Sequence, residues 1–277
     1  MSNLQQSVKD HYESANDSEP LVAKVTRLLD EAGIATVTTS SLALLDQLHT
    51  RGAAATRELA LLAEIDSQSK VLDAGCGLGG PARFLAETFG CHVTGVDLTP
   101  SFIEVARLLT ERTGLQKLCL FETGDLTSLD LPDASFDVVW TQHVVMNIRE
   151  RDRLYTELRR VLKAGGRLVF YDILAGDAKS ELLFPVPWSK TPATSHLLTE
   201  METRDALLRA GFTAQVWRDV TASAVEWTGG QPVAAAPGSG LSLATVMGPG
   251  LAVAVENLGR NLREGRARIV MGIFQTA

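Results

Sequence analysis

Cysteine is scarce in this 277-residue chain: there are three, Cys76, Cys91 and Cys119, each in or beside an apolar run. An odd number without CxxC spacing argues against a disulfide framework and a cysteine-built zinc site, and suits a reducing cytoplasm. Positive charge is also short. Twenty-six Lys plus Arg stand against 33 Asp plus Glu, a net charge of −7, so a surface that tracks phosphates would have to form against the overall field, and nucleic acid is excluded as an expected partner. Long apolar stretches are missing. Leu241 to Val255 is the longest and is interrupted by Gly248-Pro249-Gly250, short of the ~20 residues that cross a bilayer. The polar opening MSNLQQSVKDHYESANDSEP has no signal-peptide core. No membrane span is therefore expected. Hydrophobic residues at 45% and charged residues at 21% provide for a globular core and exclude wholesale disorder.

Periodicity divides the chain. Leu21, Val22, Val25, Leu28 and Leu29 recur at helical spacing before Gly33, and Leu42, Leu45, Leu48, Leu59 and Leu62 continue the pattern, so two or three helices are expected over 19–64. From Lys70 the texture changes to VLDAG, PARFLAETFG, HVTGVDL, SFIEVARLLTERTG and CLFETGD. Strand, helix, strand, helix, strand is the βαβ signature of a parallel sheet with helices on both faces. FDVVW follows as a strand, RERDRLYTELRRVLKAGG as a helix closed by glycine, and RLVFYDI as a further strand. FPVPW with its two prolines is no central strand, and KTPATSHLLT reads as a loop ending in an N-cap. EMETRDALLRAGF is a helix, AQVWRDV a strand, 228–250 an irregular stretch, 251–263 a helix and RARIVMGIFQ a closing strand.

VLDAGCGLGG carries the chemistry. It sets Asp73 at a strand end and Gly75, Gly77, Gly79 and Gly80 in the turn that opens the next helix, where a ligand must approach the backbone more closely than a Cβ allows. The same glycines satisfy the GxGxxG dinucleotide pattern, so other positions decide. Asp97 ends the second strand and can accept from two ribose hydroxyls, a feature that nicotinamide nucleotides and nucleoside methyl donors share. Asp73 separates them, because an acid just before the turn opposes a pyrophosphate and suits an ammonium and a sulfonium. Asp125, after the third strand at the same sheet edge, can accept from an adenine amino group.

VLDAGCGLGG, VTGVDLT, the GDL at 124–126, and LPDASFDVVW with the helix ending RVLKAGGRLVF together resemble the class I S-adenosylmethionine-dependent methyltransferases over about 70–173. The resemblance implies an α/β fold, a Rossmann-like three-layer sandwich around a seven-stranded mixed sheet ordered 3-2-1-4-5-7-6, with AQVWRDV as strand six and RARIVMGIFQ as strand seven. It also implies that Gly75, Gly77, Asp97, Leu98, Asp125, Leu126 and Gln142 contact S-adenosylmethionine, which leaves as S-adenosylhomocysteine. Residues 1–69 are then an N-terminal helical cap region. Residues 70–277 form the cofactor-binding domain, with substrate-cap segments at 174–200 and at 221–265 between strands six and seven. DQLHTRGAAATRELA and FPVPWSKTPATSHLLT resemble segments of the sarcosine and dimethylglycine N-methyltransferases and of quinone- or polyketide-modifying relatives.

The expected reaction is methyl transfer to N or O of a small-molecule metabolite, which rests mainly on holding donor and acceptor together in a dry site. A hydroxyl or an ammonium acceptor must lose a proton, and His143, directly after strand four, is the candidate base. His49 and His196 read as structural or capping residues, and His92 lies at the wrong end of its strand. Tyr12 belongs to a segment that in related enzymes folds over the cofactor. Trp188 and Trp227 can line a cage for a cationic amine or serve as ordinary core. Arg57 reads as a solvated helix face and Cys76 as a small residue that fits its turn. A nicotinamide-dependent oxidoreductase and a non-catalytic S-adenosylmethionine-binding protein are the alternative functions, and a homo-oligomer remains open.

Overall fold

The computed structural model describes residues 3–13, 19–33, 37–230 and 241–276. Four helices come first: α1 (Asn3–Glu13), α2 (Leu21–Glu31), α3 (Thr39–Asp46) and α4 (Gly52–Leu62). Three of them fall in the region where two or three were expected, and α1 is additional. Leu21, Val25 and Leu29 give α2 one buried stripe, and Thr38 with Ser41 closes a capping box on α3.

The alternating unit then runs β1 (Lys70–Ala74), α5 (Gly80–Phe89), β2 (His92–Asp97), α6 (Pro100–Arg112), β3 (Cys119–Thr123), β4 (Phe136–Gln142), α7 (Arg151–Val161) and β5 (Leu162–Ala175). It continues with α8 (Glu200–Arg209), β6 (Phe212–Asp219), α9 (Thr221–Gly230), α10 (Leu243–Met247), α11 (Leu251–Arg263) and β7 (Ala267–Thr276). The seven strands form one sheet in the order β3-β2-β1-β4-β5-β7-β6. β7 runs antiparallel to both of its neighbours. This is the class I methyltransferase sheet that the motifs implied.

Side chains alternate across the pleat. Val71, Val138 and Val169 face a cluster shared with Leu59 of α4, Leu85 of α5 and Leu258 of α11. Their chain neighbours Leu72, Val139 and Phe170 face Leu154 and Leu158 of α7 and Leu207 of α8. A third cluster joins Val25 and Leu29 of α2 and Leu42 and Leu45 of α3 to Val105 and Leu109 of α6. The front helices therefore pack onto the sheet domain through α6, against α2, and through α5, against α3 and α4.

Two expectations need correction. The helix expected to close at Gly165-Gly166 ends at Val161, and Leu162 already pairs with Phe136. The next pair is Val138 with Arg167, so the intervening residues bulge out of β5, and Gly165 supplies the positive φ of 70° that the bulge needs. The stretch 228–250, expected to be irregular, contains the end of α9 and all of α10. A Ser242–Thr245 capping box starts α10, fully buried Val246 anchors it, and Gly248 stops it. Its positions 231–240 lie outside the described residues.

A buried ion pair joins the cap to the glycine turn. Arg83 on α5 donates through Nη2 to Asp46 Oδ2 at 2.8 Å and to the Leu78 carbonyl at 2.6 Å. Its Nη1 reaches the Ala106 carbonyl and Thr110 Oγ1 on α6, both at 3.1 Å. Arg83 and Asp46 are 0% and 2% exposed, so removing one partner strands a charge out of water. Asp46→Ala should lower unfolding free energy in urea by about 3–5 kcal/mol, the range for breaking a buried pair; a loss below about 1 kcal/mol, the ordinary surface-pair value, contradicts this account.

Candidate active site

β1 ends one residue before Gly75, whose φ is 82° and whose added Cβ would come within 2.4 Å of Val144 Cγ2. The amides of Gly75 and Cys76 donate to the Val96 carbonyl at 2.8 and 3.1 Å, pinning the turn against β2. The Gly77 amide donates to Asp97 Oδ2 and the Thr99 amide to Asp97 Oδ1, each at 2.9 Å. Asp97 is thus aimed by backbone amides, with the Thr99 side chain adding a further hydrogen bond.

Asp73 is 2% exposed, and among the described residues its Oδ2 has no hydrogen-bond partner. Burial and the neighbouring Asp97 charge push its carboxyl up to about 7, against a backbone hydrogen bond from Ala82 that lowers it. Asp97 is raised as well, mainly by burial. Arg83 lowers the Asp73 carboxyl only in part, its ion pair being with Asp46. Among the described residues neither Asp73 nor Asp97 has an ion pair, an arrangement that suits a positively charged ligand.

Asp125 is held differently. Its Oδ1 accepts from the Thr127 amide and hydroxyl at 2.8 Å, and its Oδ2 accepts from Gln5 Nε2 on α1 at 2.6 Å. Gln142 Oε1 accepts from Trp140 Nε1 at 2.9 Å, whereas its buried Nε2 has no partner among the described residues. Asp73, Gly75, Gly77, Asp97, Leu98, Asp125, Leu126, Gln142 and His143 border a single cavity, about 1540 Å³ with its mouth included. Tyr12, His49, Trp188 and Trp227 border it too. Arg57, His92 and His196 are not on its wall; Arg57 is exposed and lies 5.3 Å from the Phe84 ring centre.

His143 adopts a φ of 53°, in the left-handed region that is uncommon for a residue other than glycine. Its amide donates to the Tyr171 carbonyl at 2.8 Å, and its ring stacks on Tyr171 at 5.1 Å. Nε2 lies 3.3 Å from Thr50 Oγ1, which is 2.7 Å from Tyr171 Oη. The following loop hangs from Asp172, whose Oδ2 accepts the Val144 and Val145 amides at 3.0 and 2.8 Å. Burial holds the His143 imidazole well below its ordinary 6.5, with His49 adding to the effect, and burial lowers His49 to about 4. Both rings are neutral at pH 7. Cys76 is buried and its thiol is pushed well above 9.0, so it fills space and is no nucleophile.

Sequence reading missed Asp46, Thr50, Arg83, Asn147, Tyr171 and Asp172. Asn147 binds two cap segments at once: its Oδ1 accepts from Tyr12 Oη at 3.0 Å, and its Nδ2 donates to the Trp188 and Thr194 carbonyls at 2.9 Å. Only Asp172, an acid inside an apolar strand, carried a visible signal.

Residues 72–170 match a family model described as a methyltransferase domain. This segment is a methyltransferase domain. Over 124 residues the chain is 39% identical to the glycine/sarcosine/dimethylglycine N-methyltransferase of Actinopolyspora halophila, covering 44% of this chain and 22% of that protein. It is 35% identical over 130 residues to methyltransferase GfsG of Streptomyces halstedii, covering 47% of each. The matched stretch thus spans less than half the length of these relatives. The geranyl diphosphate C-methyltransferase of Streptomyces coelicolor A3(2), solved with Mg²⁺, geranyl diphosphate and S-adenosylhomocysteine, superposes with a TM-score of 0.73. The two are 15% identical, and the superposition covers 100% of this chain and 98% of that one. At that identity the superposition shows a shared fold.

Within the methyltransferase domain, Gly75→Ala forces both strain and a collision with Val144 and should cost about 2 kcal/mol or more, whereas Gly165→Ala, with open space around it, should cost about 1 kcal/mol from strain alone. Urea unfolding of both variants checks the ranking, and equal losses would remove the close approach at Gly75.

Proposed function

We propose that the protein transfers a methyl group from S-adenosylmethionine to nitrogen or oxygen of a small-molecule metabolite. The observation that carries this reading is the uncompensated pair Asp73 and Asp97 beside a glycine turn without room for a Cβ. A nicotinamide dinucleotide would bring phosphates to those acids, and the matched domain family is a methyltransferase one.

The residues present fit the donor. Asp73, at the cavity wall with one orphan oxygen, suits its ammonium. Asp97 suits the two ribose hydroxyls, and Gly75 and Gly77 give the nucleoside backbone-close passage. Asp125, Leu98 and Leu126 are assigned to the adenine side, and the unpaired Gln142 amide to the amino-acid end. When bound, the sulfonium supplies an activated methyl group for in-line displacement. The chain's own contribution is to align the acceptor, keep water out and take a proton where one is released. Among the described residues His143 Nδ1 has no hydrogen-bond partner, so we assign it as the acceptor of that proton, with Nε2 braced by Thr50. Residues 1–69, 174–200 and 221–265 are assigned as the cap. The three free, buried cysteines support a cytoplasmic setting.

Transfer of radiolabelled methyl from S-adenosylmethionine into a metabolite extract tests the reading; no product above an Asp97→Ala control would overturn it. Asp97→Ala should weaken S-adenosylhomocysteine binding by about 1–3 kcal/mol in calorimetry, as charge-assisted hydrogen bonds are lost; unchanged affinity in a folded variant would remove the ribose role. Binding should also depend on pH. A cationic ligand prefers ionised Asp73, whose carboxyl titrates at about 7 in the ligand-free protein. Affinity therefore rises between pH 6 and pH 8, protons are released on binding, and Asp73→Asn flattens the profile. A wild-type profile that is flat or falls over this range would contradict the assignment.

A further inference from the structure

The cavity wall is unevenly charged. Five carboxylic residues border it, Asp46, Asp73, Asp97, Asp125 and Glu150, and among the described residues no lysine or arginine does. The positions outside the described set hold no lysine or arginine in the sequence. His49 and His143, the basic groups that do reach the wall, are kept neutral by burial. Beyond the glycine turn the cap lines the cavity with Trp188, Trp227, Met247, Leu251, Val255 and Leu258. Trp188 has its one polar atom spent on Ser195 Oγ, at 2.9 Å, so the ring meets the cavity as apolar surface.

An acceptor bearing a carboxylate or phosphate would lose water here without gaining a cation, among acids of its own sign. We infer that the acceptor is an uncharged, largely apolar molecule, and that carboxylates and phosphates bringing no cation of their own are disfavoured by the wall, whereas the donor's carboxylate travels with its own ammonium and sulfonium. This rests on the methyltransferase reading for the word acceptor, but the preference belongs to the cavity itself.

The test pairs ligands of one carbon skeleton: geraniol with geranyl diphosphate, and 1-naphthol with 1-naphthyl phosphate and 1-naphthoate. Each is titrated calorimetrically into the full chain with and without saturating S-adenosylhomocysteine. Uncharged members should bind at least about tenfold more tightly than their anionic counterparts, a difference of about 1.4 kcal/mol. Val255→Arg, its folding verified by thermal unfolding, should narrow that gap by weakening the uncharged ligand and strengthening the anion. The inference is overturned if an anion matches or exceeds its uncharged counterpart, if no uncharged member binds, or if folded Val255→Arg leaves the gap unchanged. Failure of S-adenosylhomocysteine to bind would instead sink the methyltransferase reading, and the titrations without nucleoside would still decide the cavity's preference.

Discussion

Buried carboxylates that have no ion pair among the described residues are the constraint on which this site depends. Strand ends in an open α/β sheet are where ligands bind, and here three successive ends present acids to one cavity. Asp73 and Asp97 raise each other's cost of ionisation, and the nearby guanidinium is engaged elsewhere. The fold tolerates this because the surrounding apolar clusters are large and continuous. The same imbalance is what the proposed positively charged donor and the inferred uncharged acceptor both rest on.

Arg83 shows how the cap and the turn are made into one body. Its guanidinium reads three elements at once, the glycine turn through Leu78, α6 through Ala106 and Thr110, and α3 through Asp46. The cap is therefore placed by a charge in a fixed position as well as by the apolar stripe of α2. A shift of α3 would unpair a buried ion, which makes the roof over the glycine turn stiff.

Much of this architecture was legible before any coordinates. The central strands are unbroken apolar runs because helices cover both of their faces, and such runs survive inspection by eye. Asp73 and Asp97 were legible because a glycine turn assigns a place to the acids around it. The end of α7 was misread because glycine caps a helix and opens a strand bulge with the same positive φ. Arg83, Asp46, Thr50 and Tyr171 were invisible for another reason. An arginine in a helix and a tyrosine in a strand carry no local mark of their partners, which lie 37 and 121 positions away. His143 was found by its position after β4, yet its strained backbone and its stacking on Tyr171 could not be.

Helix α1 has no buried residue. It is tied down by Gln5 on Asp125, Tyr12 on Asn147, and His11 Nε2 donating to the Pro187 carbonyl at 3.0 Å. Every other wall of the cavity belongs to an element with a core to lose, so α1 is the wall that costs least to detach. A small molecule passing beneath α1 would have to loosen these part-buried ties and the contact of Tyr12 with Phe102, while the folded body behind them stays unmoved.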